Sequence, residues 1–149
     1  SFHNLVSMEE FDVARFGGLL YLMGEKNDYL RSAFAPDISF IRNENIPADW
    51  NLSLPFPSVP DLAVEVMSPS DSAEDIQAKI RVYLDKGTAQ VWVIYPSTRE
   101  LHQYQRGQPM VRIYSGKEQI DTESLFPGFI LTLETIFKLP PWMEKLNLE

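Results

Sequence analysis

The sequence predicts a mixed α/β fold in which a central sheet is flanked by helices. Two apolar runs, residues 61–67 and 90–95, have the length and composition of buried strands. A segment of helical period separates them, and two runs of alternating polarity follow at residues 100–105 and 110–115. Because one helix connects the two apolar strands, we expect those strands to be parallel.

Composition limits the classes of protein and of site. The chain has 149 residues, 44% hydrophobic and 23% charged, so we expect one domain spanning residues 1–149. The absence of cysteine excludes disulfides, zinc–thiolate sites and thiol catalysis. Two distant histidines, His3 and His102, give little support to histidine metal sites or a Ser–His–Asp triad. The formal charge of −8 argues against nucleic-acid binding by the whole surface.

The first sixty residues hold one predicted strand between two turn-rich segments. Residues 8–23 surround Gly17-Gly18 and predict a turn or hairpin. Residues 37–42 alternate in pattern and contain β-branched and aromatic side chains, which favours a strand. Residues 43–60 contain four prolines and predict a long surface loop. Since the chain begins at Ser1 without an initiator methionine, we expect an upstream segment to be missing.

The central helix is predicted with both of its ends. Asp71 and Ser72 are suitable N-caps, and Gly87 stands where a residue following the last turn should be, so the helix should run from about Ser72 to Lys86. A second, short helix is predicted over residues 133–138. The apolar stripe of the central helix, which should pack on the sheet, consists of Ile76, Ile80, Tyr83 and Leu84.

One carboxylate interrupts the first apolar strand. Burying Glu65 there is costly unless the carboxylate is paired, hydrogen-bonded or bound to a metal. Glu65 can instead point outward or pair with an arginine. A metal site needs a second carboxylate, and Asp61 lies about 13 Å away along the same strand. Asp37, at the start of another strand, is the better partner, and Asp61 is expected to cap the loop behind Pro60.

The chain resembles a known family in several segments taken together. The motifs are PDISFI at residues 36–41, PDLAVEVMSPS at residues 60–70, Asp75, Lys79, Tyr83 and Gly87, VWVIYP at residues 91–96, and LFPGF at residues 125–129. Over about residues 35–137 the pattern is similar to that of the Uma-type restriction endonuclease family. This resemblance implies the restriction-endonuclease-like PD-(D/E)xK fold and a Mg²⁺- or Mn²⁺-dependent phosphodiesterase site.

The resemblance also implies residue roles. Asp37 matches the first metal-binding acid and Glu65 the second. The lysine that usually stands two positions after the second acid is absent, because position 67 is Met67, and Lys79 on the helix is the alternative. An exposed ion pair with Asp75, four residues earlier, would also explain Lys79. The additional N-terminal glutamate of the superfamily has no recognisable match, and Glu9 and Glu10 are candidates by position alone.

The sequence therefore predicts a metal-dependent endonuclease that acts on nucleic acid, with DNA supported by the resemblance alone. An alternative is a catalytically inactive nuclease-fold module for binding or assembly, which the displaced lysine and the acidic composition favour. A carbohydrate hydrolase with paired carboxylates lacks any accompanying motif. Cleavage of both strands would favour a homodimer. No segment resembles a membrane span or signal peptide, so a cytoplasmic location is expected.

Overall fold

The computed structural model describes residues 11–22 and 33–138. Its main feature is a six-stranded sheet in which one pair of neighbouring strands, Leu62–Val66 and Gln90–Tyr95, is parallel and the other neighbouring pairs are antiparallel. In order across the sheet, the strands are β1 (Val13–Gly17), β4 (Ile38–Arg42), β5 (Leu62–Val66), β6 (Gln90–Tyr95), β7 (Glu100–Gln105) and β8 (Arg112–Tyr114). The predicted mixed sheet and its parallel pair are confirmed.

Shorter elements complete the described chain. Two small antiparallel sheets pair β2 (Tyr21–Leu22) with β3 (Ala33–Phe34), and β9 (Gln119–Ile120) with β10 (Leu131–Thr132). The helices are α1 (Ala73–Lys86), α2 (Leu133–Ile136) and a 3₁₀ turn at Asn43–Asn45.

The helix α1 forms where its caps and apolar period predict it. The Ser72 hydroxyl accepts a hydrogen bond from the Asp75 amide at 3.3 Å. At the other end, Gly87 has a φ of 119°, in the left-handed region that favours glycine, and its amide donates to carbonyls of the last turn. Ile76 and Ile80 are buried against the sheet, and Tyr83 is buried with them.

Replacing Ile80 by aspartate should therefore destabilise the protein by several kcal/mol, because the change leaves an unpaired carboxylate in the core. Chemical denaturation measures the loss. Arg81→Asp is the matched control, since Arg81 is the next residue on the helix and is exposed. Equal stability of the Ile80→Asp and Arg81→Asp proteins would show that this helix face is not packed on the sheet.

The two faces of the sheet carry separate hydrophobic clusters. The face beneath α1 holds Ala63, Val91 and Val93 together with the buried helix residues. The opposite face is covered by the chain after β9, including Phe126 and Leu133. Both faces are thus shielded, which explains why β5 and β6 are apolar on both sides. Glu65 is the exception on the face beneath α1.

The segments before and after Gly17-Gly18 do not form the simple hairpin that the sequence allowed. The strand β1 pairs with β4, and β2 pairs with β3, so the strands on either side of the predicted turn at Gly17-Gly18 do not pair with each other. Gly18 has a φ of 68°, as a tight turn requires. Within residues 11–22 and 33–138, no helix has the length and apolar character that a membrane crossing requires.

The proline-rich loop between β4 and β5 packs on its own domain. Trp50 contacts the rings of Phe16 and Phe56, with centroids 5.7 and 5.0 Å away. Its indole N–H donates to the Pro55 carbonyl at 3.3 Å. These contacts account for Trp50 without a nucleic-acid base or partner chain.

Candidate active site

The pairing of β4 with β5 brings Asp37 beside Glu65. Ile38, the first residue of β4, lies opposite Val64 in this antiparallel pair, and Asp37 immediately precedes it, next to the end of β5 that carries Glu65. An oxygen of the Asp37 carboxylate accepts a hydrogen bond from the Val66 amide at 2.7 Å, which holds Asp37 against the end of β5.

Glu65 is a buried carboxylate, with 7% of the residue exposed. Burial raises its pKa to about 7, and the negative charge of Asp37 acts in the same direction. The Lys79 ammonium and the Tyr83 hydroxyl both oppose this rise. Glu65 therefore changes between its protonated and ionised forms near neutral pH.

Lys79 reaches the same carboxylate from the helix above. Its Nζ lies 3.8 Å from Glu65 Oε1 and 5.8 Å from the ring centre of Phe34. Among the described residues its ammonium forms an ion pair with Glu65 and none with Asp75, so the exposed helix pair considered from the sequence is wrong. With 37% of its side chain exposed, Lys79 contacts both the buried carboxylate and solvent.

Tyr83 also contacts the site, although its apolar stripe assigned it to the core alone. Its hydroxyl donates a hydrogen bond to Glu65 Oε1 at 3.3 Å. Burial raises the Tyr83 pKa well above its usual range, so the hydroxyl stays protonated. The spacing of four residues from Lys79 is a signal that could have revealed this role, since residues four apart lie on one helix face.

A small cavity gives solvent access to this group. Its volume is about 120 Å³, and it lies between the end of β5 and the first two turns of α1. Asp71 is one of its acidic residues, and hydrogen bonds from the Ser68 amide and hydroxyl hold the pKa of Asp71 below its usual value. The charged residues lining the cavity are Glu65, Asp71, Asp75 and Lys79. Three carboxylates and one ammonium make it an acidic cavity.

The other sequence candidates lie apart from the cavity or outside the described residues. Asp61 accepts hydrogen bonds from the Arg42 amide at 2.7 Å and the Asn45 side chain at 3.0 Å, which confirms that it holds the loop after β4. Met67, two residues after Glu65, lines the cavity. Glu9 and Glu10 lie outside the described residues. Among the described residues, no group of three or more His, Asp or Glu side chains could hold a metal ion.

The chain combines a mixed six-stranded sheet, a helix that connects its two parallel strands, and a buried carboxylate that contacts a lysine of that helix. The chain belongs to the Uma2 family, described as "Putative restriction endonuclease", which matches residues 18–134. The predicted family is therefore confirmed, and its description supports a nuclease-like function.

A solved structure shares the fold. The chain is similar to the crystal structure, at 1.96 Å resolution, of a "putative nuclease belonging to DUF820" from Anabaena variabilis, with a TM-score of 0.76 and 21% sequence identity. The alignment covers 91% of this chain and 73% of that one. No curated protein matches the chain.

Proposed function

We propose that this protein is a divalent-metal-dependent nuclease whose catalytic residues are Asp37, Glu65 and Lys79. The observation that carries the proposal is the buried Glu65 carboxylate, which lies near Asp37 and 3.8 Å from the Lys79 ammonium at a solvent-accessible cavity. Two acids and one cation from three adjoining elements match the roles expected of the family.

The donor set fits Mg²⁺ or Mn²⁺. Both ions prefer oxygen ligands, and Mg²⁺ is commonly held by one or two carboxylates, with water and substrate phosphate completing its shell. Asp37 and Glu65 would supply those two carboxylates. The acidic cavity supports the same conclusion, because without a bound cation its negative charge would repel a phosphodiester.

Each residue then has a defined task. Asp37 and Glu65 would hold the cation at the end of the two strands. When bound, the cation would supply Lewis-acid polarisation of the scissile phosphate and a lowered pKa for the attacking water. Lys79, partly exposed beside Glu65, would orient that water and stabilise negative charge that develops on the phosphate.

The proposed substrate is a nucleic acid, and DNA is favoured by the words "restriction endonuclease" in the family description. The proposal further includes one domain over residues 1–149, a cytoplasmic location, and a homodimer if both strands of a duplex are cut, because two-fold symmetry presents one site to each strand.

A catalytically inactive binding module is the second candidate. The observation that favours it is Met67, which lines the cavity at the position of the superfamily lysine. In such a module, Lys79 would only neutralise the charge of the buried Glu65 carboxylate, and Tyr83 would only donate a hydrogen bond to it. Cleavage separates the two, since an inactive module hydrolyses no phosphodiester whether or not it binds a cation.

The first test of the proposed function is the pH dependence of Mn²⁺ affinity. Since Glu65 has a pKa of about 7 and must lose its proton to bind a cation, affinity should rise by up to about tenfold per pH unit below pH 7 and level off above it. Calorimetric titration from about pH 6 to 8.5 measures this change. Mn²⁺ affinity that does not vary over this range would contradict the assignment of Glu65 as a ligand.

The second test is cleavage. Single- and double-stranded DNA should be cut at low salt when Mg²⁺ or Mn²⁺ is added, and chelation of the metal should stop the reaction. If the folded wild-type protein binds Mn²⁺ but cuts neither substrate nor RNA, the binding module becomes the better assignment.

A further inference from the structure

The two polar contacts of Glu65 fall on one of its oxygens. Oε1 accepts the Tyr83 hydroxyl at 3.3 Å and faces the Lys79 ammonium at 3.8 Å. Neither contact involves Oε2. The carboxylate is therefore held from the helix side through Oε1, and among residues 11–22 and 33–138 no side chain forms a hydrogen bond or ion pair with Oε2.

Tyr83 is suited to hold that oxygen in place. The residue is fully buried, and its ring packs at 52° against Phe34 with centroids 5.5 Å apart. The flexible Lys79 side chain, in contrast, is more than one-third exposed. Of the two groups at Oε1, the tyrosine hydroxyl thus has the better defined position, because an aromatic ring in a packed core has few alternative rotamers.

We propose that Tyr83 is a positioning residue of the site, which orients the Glu65 carboxylate through Oε1 so that it could hold the proposed metal ion. This inference rests on the proposed function. Groups that hydrogen-bond to a ligating side chain orient it, and their loss commonly weakens metal affinity 10- to 100-fold. Tyr83 therefore contributes to the site through Glu65 and does not itself touch the metal or the substrate.

The substitution Tyr83→Phe tests the inference, because it removes the hydroxyl and keeps the ring. Mn²⁺ affinity, measured by calorimetry at about pH 8.5 where Glu65 is ionised, should fall about tenfold or more. Thermal unfolding of the same protein shows how far the core has been weakened.

Tyr21→Phe is the matched control. Tyr21 is also fully buried in the cluster beneath α1, and its hydroxyl shares a hydrogen bond with Ser39 Oγ at 2.5 Å. Removing this hydroxyl should lower the melting temperature to a similar extent and leave Mn²⁺ affinity unchanged. If the two variants have equal stability but only Tyr83→Phe binds Mn²⁺ more weakly, then the Tyr83 hydroxyl positions Glu65 and does not act only by stabilising the core.

Three results would overturn the inference, and they are distinguishable. Wild-type affinity in Tyr83→Phe, with binding lost in Glu65→Gln, would remove Tyr83 and leave the proposed function intact. Equal losses of affinity in Tyr83→Phe and Tyr21→Phe would show only a loosened core. Absence of Mn²⁺ binding in the wild-type protein would overturn both the inference and the proposed function.

Discussion

Replacing Glu65 by glutamine should abolish Mn²⁺ binding and any phosphodiesterase activity. The amide keeps the volume of the side chain but removes the negative charge that holds the cation, and Asp37 alone cannot compensate for it. Calorimetric titration and a DNA cleavage assay measure the two losses. Asp61→Asn is the control, because Asp61 lies four residues earlier beside the same strand and its contacts are with the loop after β4.

The same substitution should change the pH dependence of stability. Glu65 has a pKa of about 7 in the folded protein against an ordinary value of 4.5, so the native state binds its proton more tightly than the unfolded chain does. The free energy of unfolding of the wild-type protein should therefore decrease as pH rises from about 4.5 to 7, and the ionisation of Glu65 should account for about 3 kcal/mol of this decrease. Glu65→Gln removes that fall.

The measurable result is a difference between two pH profiles. Below about pH 4.5 the wild-type and Glu65→Gln proteins should have similar stability, and above pH 7 the variant should be more stable. Urea denaturation at several pH values without metal gives both curves. A variant that is less stable than the wild type above pH 7 would show that the ion pair with Lys79 outweighs the cost of burying the charge.

Replacing Lys79 by alanine should separate binding from turnover. The loss of a positive charge beside the proposed metal site should leave Mn²⁺ affinity intact or slightly higher at about pH 8.5, since like charges repel. Turnover should fall about 100-fold, the usual scale for losing one group that stabilises the transition state. Lys79 lowers the pKa of Glu65, so the Lys79→Ala substitution raises that pKa. Near neutral pH, a larger share of Glu65 would then be protonated and would bind Mn²⁺ less well, which is why the comparison is made at the higher pH.

Lys86→Ala provides the comparison for this variant. Lys86 is exposed in the last turn of the same helix, so its removal changes the net charge equally without altering the cavity. Turnover by Lys86→Ala should match that of the wild type. Full activity in the Lys79→Ala protein would exclude Lys79 from the mechanism and leave the two acids to act alone.

Local patterns were sufficient for the strands and helix that carry the site. The predicted bounds of β6 and β7 agree with the structure, those of β5 differ by one residue at each end, and those of β4 and α1 differ by one residue at the start. Alternation, helical period and capping are properties of consecutive residues, so they can be detected without tertiary contacts. The strand β1 was not predicted, because its pairing with β4 joins residues more than twenty positions apart.

The candidate site also combines residues that the sequence identified with contacts that only the packing of distant elements creates. A carboxylate within an apolar strand was enough to select Glu65, and the distance of about 13 Å along that strand to Asp61 favoured Asp37 as its partner. Lys79 could be assigned equally well to a surface pair with Asp75, and Tyr83 to the core. The packing of α1 on the sheet distinguishes these alternatives, because it brings both side chains to Glu65 Oε1.

By itself, the sequence determined the fold class, the order of the main elements and the family to which the chain belongs. Only the tertiary structure decided that Asp37 lies against the end of β5, that Lys79 turns toward the sheet, and that the Tyr83 hydroxyl meets the buried carboxylate of Glu65. The physical reason is that strand register and helix packing depend on contacts between distant residues. A local sequence pattern predicts which face of a helix or strand a side chain lies on, but it does not predict which atoms of other elements the side chain contacts.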